Sequence, residues 1–409
     1  MGDQLKFVIV GSVDHGKSTL IGRLLSDTDS LPEGKIEEVR RICEELGREM
    51  EFGFLMDHLE EERSQGITID TAQTFFKTGK RRYVIIDAPG HKEFIKNMIT
   101  GASQAEAALL ILDANDGVKE QTRRHAYLLK MLGLEQVVVV INKMDLVDYS
   151  AVRFNEVRGD LMKFLSSLGI APINAIPISA RLGDNVALAS DKMPWYEGPT
   201  VLDGLDSFLP KAPAKNRPLR FPIQDVYKVK EKRILVGRIE AGRIRQGDEI
   251  TFLPQSRDTA VRSIEILWKD RTEAEAGESI GITLRDPLFI ERGAVACART
   301  DKPVVTTRFR ANVFWMSSRP FRVGESLSLR LATQESSVDL HVDRKTDSST
   351  FELISENPDA ILETEVADVF IDARQPVVLE NFNQIEELGR FVLVRDTDVV
   401  AGGIITCTA

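Results

Sequence analysis

From residue 5 to about 209, short apolar runs alternate with longer amphipathic stretches, which is the pattern of a mostly parallel sheet with helices on both faces. The runs predict strands at 5–10, 67–76, 82–87, 107–113, 136–142 and 173–179. Between the first two lies a long excursion, Asp27 to Gln65, with a predicted helix over Glu33–Glu51 and the charged run Glu60-Glu61-Glu62-Arg63, read as a solvated helix face. At 210–218 the texture changes to Pro210-Lys211-Ala212-Pro213-Ala214-Lys215-Asn216-Arg217-Pro218, a linker with neither period. Beyond it, short alternating strands recur between turns such as Gln246-Gly247-Asp248 and Ala276-Gly277-Glu278, the texture of small β-barrels. The remaining length exceeds one barrel, so a division falls near Lys302-Pro303. The expected domains are therefore 1–209 (α/β), a linker at 210–218, and barrels at 219–302 and 303–409.

Composition narrows the class only a little. The 409 residues are 43% hydrophobic and 28% charged, ordinary for a globular protein of several domains. No run of about 18 apolar residues occurs and no basic-then-apolar leader opens the chain, so the expectation is a cytoplasmic protein that does not enter a membrane. Cys43, Cys297 and Cys407 are scattered without a histidine cluster, which argues against a zinc site or a disulfide framework. A net charge of −10 gives no global footprint for nucleic acid, although one basic face can still bind it.

The chemistry concentrates at strand ends. Gly11-Ser12-Val13-Asp14-His15-Gly16-Lys17-Ser18 follows the first strand and opens into an apolar-striped helix starting at Thr19. This is the G-x-x-x-x-G-K-[ST] phosphate loop in its strand–loop–helix context. Its glycines let backbone N–H groups turn inward beside a helix N-terminus, Lys17 reaches the β- and γ-phosphates, and the Ser18 hydroxyl ligates Mg²⁺. The strand at 136–142 ends in Asn142-Lys143-Met144-Asp145. A carboxylate there accepts both the ring N–H and the exocyclic amino group of guanine, and adenine offers no such pair, so the expected nucleotide is GTP. Ser179-Ala180-Arg181 ends a later strand and is expected to complete the guanine pocket through backbone N–H groups. Asp87 in Asp87-Ala88-Pro89-Gly90-His91 stands where a carboxylate holds Mg²⁺ through water, and Gly90 lets its N–H approach the γ-phosphate. His91 is placed either to orient the attacking water or simply to sit near a helix start. Thr68, in Gly66-Ile67-Thr68-Ile69-Asp70, offers a hydroxyl that closes onto Mg²⁺ only while a γ-phosphate is present, which makes a switch.

The order of these motifs, with Gly237-Arg238-Ile239-Glu240-Ala241-Gly242 and Gly247-Asp248 in the barrel region, resembles the translation-factor GTPases over nearly the whole chain. Three further stretches look most like the GTPase subunit of heterodimeric sulfate adenylyltransferase: Gln121-Thr122-Arg123-Arg124-His125, the run Ile141 to Ser150, and Gly183-Asp184-Asn185-Val186 followed by Met193-Pro194-Trp195-Tyr196. That resemblance implies a partner, a small subunit that joins ATP to sulfate, with GTP hydrolysis in this chain driving adenylylsulfate synthesis. The Met-Pro-Trp piece is shared with elongation factor 1-alpha, and His15 stands where the sulfate-activating family commonly has Asp and the elongation factors have His. The rival expectation is thus an elongation factor that delivers aminoacyl-tRNA to the ribosome. Lys228, Lys230, Lys232, Arg233, Arg243 and Arg245 are available for RNA but read first as surface charge; Arg123 and Arg124 read as a helix face, and Trp195, Trp268 and Trp315 as core. His58 and His125 are not spaced with other ligand types.

Overall fold

The computed structural model describes residues 4–12, 14–31, 34–45, 52, 73–86, 105–210, 214–229, 232–266, 269–350 and 352–408. The chain divides into two compact units, Met1–Lys211 with Ser348–Thr350, and Ala212–Asp347 with Phe351–Ala409.

The first unit is built on strands β1 (Gln4–Val10), β2 (Gln73–Lys77), β3 (Arg82–Ile86), β4 (Ala107–Asp113), β5 (Val137–Asn142) and β6 (Asn174–Pro177). Their order across the sheet is β2-β3-β1-β4-β5-β6. Five of them run parallel, while β2 joins β3 antiparallel at the edge. Every residue of β4 and of β5 is buried, which requires cover on both faces and explains why these strands read as unbroken apolar runs. The cover comes from helices such as α1 (Lys17–Asp27), α3 (Glu120–Met131), α4 (Ala151–Ser167) and α5 (Val201–Asp206), while α2 (Lys35–Glu45) follows α1 in the chain. In α1 the buried positions Leu20, Ile21, Leu24 and Leu25 recur at one helical face and enter the same core as Phe7, Ile9 and Leu109. Ser150 caps α4 by accepting the Arg153 N–H, and Thr200 and Asp203 form a reciprocal capping box on α5.

The strands stand within a residue or two of their predicted places, apart from the second, where 67–72 lie outside the described residues. The predicted helix Glu33–Glu51 is observed as Lys35–Glu45, with 46–51 outside the described residues. Trp315 is fully buried core, Trp195 is half-buried against Phe154, and Trp268 is not among the described residues. Arg124 pairs with Glu120 and Arg123 lies over the Phe164 ring, so both serve helix packing. Among the described residues no helix is long and apolar enough to cross a membrane.

The second unit holds two antiparallel barrels. In the first, the ring runs Glu249–Leu253, Val295–Ala298, Arg220–Val229, Lys232–Arg238, Ser279–Leu284 and Arg257–Ile266, and the last pairs back with the first. In the second it runs Ser326–Leu331, Arg390–Arg395, Asp398–Thr408, Val304–Trp315, Glu365–Leu379 and Gln334–Asp347, closed by pairing of the last with the first. Closure pairs each strand of these rings on both sides, while Lys269–Arg271 and Leu353–Glu356 add on as short outer strands. Ala241, Leu253, Val295 and Cys297 of the first barrel join the core cluster of the second, so the barrels share apolar packing. Beside it, Arg220, 2% exposed, donates through Nε to Glu380 at 2.8 Å and through an Nη to Asp301 at 2.9 Å. An arginine out of water needs such partners, and losing one costs about 3–5 kcal/mol.

Glu240 sits in the same region with Glu387, Arg238 and Arg390 around it. Burial, reinforced by the Glu387 charge, pushes its carboxyl up from 4.5 to about 7. The folded state therefore keeps a proton that the unfolded chain has released between those two values, and stability falls as pH rises across that window. A Glu240→Gln variant is expected to lose this slope and to melt a few degrees above the wild type at pH 8, with the difference shrinking toward pH 5, as followed by thermal unfolding.

Candidate functional site

The phosphate loop leaves β1 at Gly11. A Cβ at this position would stand 2.4 Å from the Ile111 carbonyl oxygen, so only glycine lets the loop start so close to β4. Gly16 closes the loop with φ +89 and precedes Lys17, the first residue of α1. Lys17 Nζ donates to Gly11 O at 2.7 Å and Ser12 O at 3.0 Å, holding its ammonium inside the loop. The Ser12 hydroxyl is buried and has no hydrogen-bond partner among the described residues. Ser18 is exposed at the start of α1, and Asp14, also exposed, takes a left-handed φ of +67.

Asn142, the last residue of β5, is 2% exposed and its side chain is bonded at both its donor and its acceptor end. Its Nδ2 donates to His15 O at 2.9 Å and its Oδ1 accepts the Ala180 N–H at 2.9 Å. One amide thus fastens the phosphate loop to the Ser179–Arg181 loop. The Ser179 N–H donates to Asp184 O at 3.2 Å. Two of the three amides expected to face a base therefore brace the loop here. Lys143 adopts a left-handed φ of +63 and pairs through Nζ with Asp113, the last residue of β4, at 2.9 Å. Asp145 follows in a short 3₁₀ turn.

These elements enclose one cavity of about 570 Å³, within the size of small-ligand sites. Asp14, Gly16, Lys17, Ser18 and Thr19 line it on the loop side, and Asn142, Lys143, Asp145 and Arg181 on the other. Gly11, Ser12 and His15 support the loop from behind, with Ser179 and Ala180 behind Arg181. Val13, Thr68, Asp87, Gly90 and His91 lie outside the described residues.

His15 is 2% exposed, and its Nδ1 lies 3.4 Å from Ile111 O, a contact that requires the hydrogen on Nδ1. Burial lowers the pKa of its imidazole below 6.5 despite Asp113 and Asp116 nearby, so it is neutral at pH 7. Its Nε2 stands 3.8 Å from Asp116, whose carboxyl the Lys119 ammonium at 2.7 Å holds below the ordinary range. The sequence reading missed Asp113 and Asp116. The available signal was that Asp113 ends a strand at the carboxyl edge, where ligands gather in such sheets.

A phosphate loop tied by a strand-end asparagine to a second recognition loop, in a chain that continues into two β-barrels, defines a P-loop nucleotide-binding protein. Residues 3–211 match the elongation factor Tu GTP binding domain, 232–297 match elongation factor Tu domain 2, and 308–406 match the GTP-eEF1A C-terminal domain-like family. The chain is 42% identical to elongation factor 1-alpha of Pyrococcus furiosus over 98% of its length and 97% of that protein's. It is 41% identical to elongation factor 1-alpha of Thermoplasma acidophilum over 98% of this chain and 96% of that one. The solved structure of sup35 complexed with GDP is 27% identical, with 100% of this chain and 94% of that chain covered and a TM-score of 0.46. The chain belongs to the translation-factor GTPases, and its first domain is a GTP-binding GTPase domain.

The expectation of a sulfate adenylyltransferase subunit, with a small adenylyltransferase partner, is overturned. Relatives 41–42% identical over 98% of this chain and 96–97% of their own length are named elongation factor 1-alpha. The stretches that suggested the sulfate branch have local work instead: Ser150 caps α4, Tyr149 and Asp184 hydrogen-bond each other, and Arg123 and Arg124 pack on α3.

Asn142→Ala removes both tethers and leaves the buried Ala180 N–H unsatisfied, a loss of about 1–3 kcal/mol. Urea unfolding is expected to show that loss, and GDP titration a weakening of at least tenfold. Equal GDP affinity in the variant contradicts the tether's role.

Proposed function

We propose that this chain is a translation elongation factor, a GTPase that carries aminoacyl-tRNA to the ribosome in its GTP form. The observation that carries the reading is full-length identity of 42% to a protein named elongation factor 1-alpha. His15 in the phosphate loop agrees with it. So does a second cavity, of about 850 Å³, on the first barrel, where Lys232, Arg233, Arg262 and Arg271 stand near Phe289, which is 87% exposed. Arg233 lies over the Phe289 ring at 5.3 Å. Cations beside an open aromatic face suit the phosphates and bases of an RNA end.

In this reading the domains are 1–209, 219–302 and 303–409 with the linker at 210–218, and the protein works in the cytoplasm. Lys17 and the loop amides hold the β- and γ-phosphates, with Thr19 at the start of the helix behind them. Asp145 accepts from the guanine edge, while Asn142, Lys143, Ser179, Ala180 and Arg181 shape its pocket. Ser18 fits a magnesium ligand by its exposed hydroxyl beside Lys17, and Thr68 and, through water, Asp87 complete the proposed set. Mg²⁺ when bound supplies charge neutralisation at the phosphates. His91 orients the attacking water and Gly90 contacts the γ-phosphate. The chemistry is positioning and electrostatics, with no covalent intermediate.

The test is protection of the aminoacyl ester. With a non-hydrolysable GTP analogue the chain is expected to slow spontaneous deacylation of aminoacyl-tRNA at least tenfold, and with GDP to leave it nearly unchanged. Equal deacylation in both states removes the elongation reading. Separately, Asp145→Asn is expected to shift preference from GTP toward xanthosine triphosphate, whose C2 oxygen can accept from the new amide. Unchanged GTP turnover in that variant removes Asp145 from the base site.

A further inference from the structure

Beyond the base-reading loop lies a polar cluster that the nucleotide chemistry has not used. Tyr149 stands four residues after Asp145 at a left-handed φ of +53, next to Asp148 at +49. Two consecutive non-glycine residues in that region are costly and persist only where surrounding bonds hold them. The bonds are there: the Tyr149 N–H donates to Met144 O at 2.8 Å, and Trp195 Nε1 donates to Tyr149 O at 3.0 Å. The Tyr149 hydroxyl donates to Asp184 Oδ2 at 2.9 Å. Asp184 also accepts from Ser190 Oγ at 2.7 Å and from Lys192 Nζ at 3.2 Å, and Lys192 reaches the Tyr149 oxygen at 3.1 Å. Burial pushes the Asp184 carboxyl up, but these donors outweigh it and hold the group below the ordinary range, so it is ionised at neutral pH.

Asp184 is also the residue whose carbonyl accepts the Ser179 N–H, while Gly183 donates to Ser179 O at 2.7 Å. Its backbone therefore sets one end of the Ser179–Arg181 loop, and its side chain grips the far end of the turn that carries Asp145. Asn142 joins the same two loops at their near ends.

We propose that Tyr149, Asp184 and Lys192 form a positioning clamp that fixes the separation between the Asp145 carboxylate and the Ser179–Arg181 loop, and so sets discrimination for guanine. The proposal rests on the guanine reading of the cavity. None of the three lines the cavity, so each acts through Asp145 and its facing loop. Loosening the clamp lets the carboxylate drift from the exocyclic amino group, the feature that distinguishes guanine from hypoxanthine.

The test compares equilibrium binding of GDP, IDP and ADP to the full chain and to Tyr149→Phe, Asp184→Asn, Lys192→Met and Lys192→Arg. Tyr149→Phe deletes one hydroxyl, and its melting temperature is measured in parallel. Expected are a GDP affinity about 3- to 10-fold weaker in Tyr149→Phe and weaker still in Asp184→Asn, with the GDP-to-IDP ratio compressed in both. Lys192→Arg is expected to keep the wild-type ratio while Lys192→Met loses part of it. A merely structural cluster weakens GDP and IDP alike, and that result overturns the proposal, as does an unchanged ratio in all variants. If the wild-type chain shows no preference for GDP over IDP and ADP, the guanine reading itself fails and the clamp with it.

Discussion

The site depends on one buried amide. Asn142 ends a strand whose every residue is buried, so its position is set by the sheet core and not by a ligand. From there it donates to the phosphate loop and accepts from the Ser179–Arg181 loop. Neither loop has regular secondary structure to hold it, and a backbone N–H buried without a partner is expensive. A single side chain with one donor end and one acceptor end meets both needs, and this ties the geometry of one loop to that of the other. Gly16 fits the same constraint, since a Cβ there would stand 2.4 Å from Asn142 Nδ2.

The barrel unit solves a different problem. Small closed barrels bury little apolar surface each, and these two supplement their separate cores with a shared cluster beside the buried Arg220, Glu380 and Asp301 group. Replacing such a group by apolar side chains is often neutral, so its presence does not explain stability by itself. Its geometric effect is definite: the arginine fork accommodates its two acidic partners in a single arrangement, and Glu240 next to Glu387 adds a proton-sensitive contact in the same region.

Much of this was legible in the sequence because the physics is local. Buried parallel strands must be apolar throughout, so β4 and β5 could be read directly, and glycines such as Gly247 and Gly277 marked turns with a left-handed φ. The strand at β2 is legible but its antiparallel direction is not, because direction is set by pairing and not by residue pattern. The Asp113–Lys143 and His15–Asp116 contacts join residues distant in sequence and leave no periodic trace. The choice of family branch failed for a related reason. Val147-Asp148-Tyr149-Ser150 and Thr122-Arg123-Arg124-His125 resemble the sulfate-activating branch, yet their side chains cap a helix, bond across to Asp184 and pack on α3. His15, buried within the phosphate loop, is the residue whose resemblance pointed to the elongation-factor branch.

Whether Asn142 holds the phosphate loop and the Ser179–Arg181 loop in register around a guanine nucleotide is decided by a crystal structure of the chain with GDP. Expected are the guanine edge against the Asp145 carboxylate, the β-phosphate beside Lys17, and Asn142 Nδ2 still bonded to His15 O. A base seated away from Asp145, or an Asn142 side chain released from the loop, would contradict that arrangement.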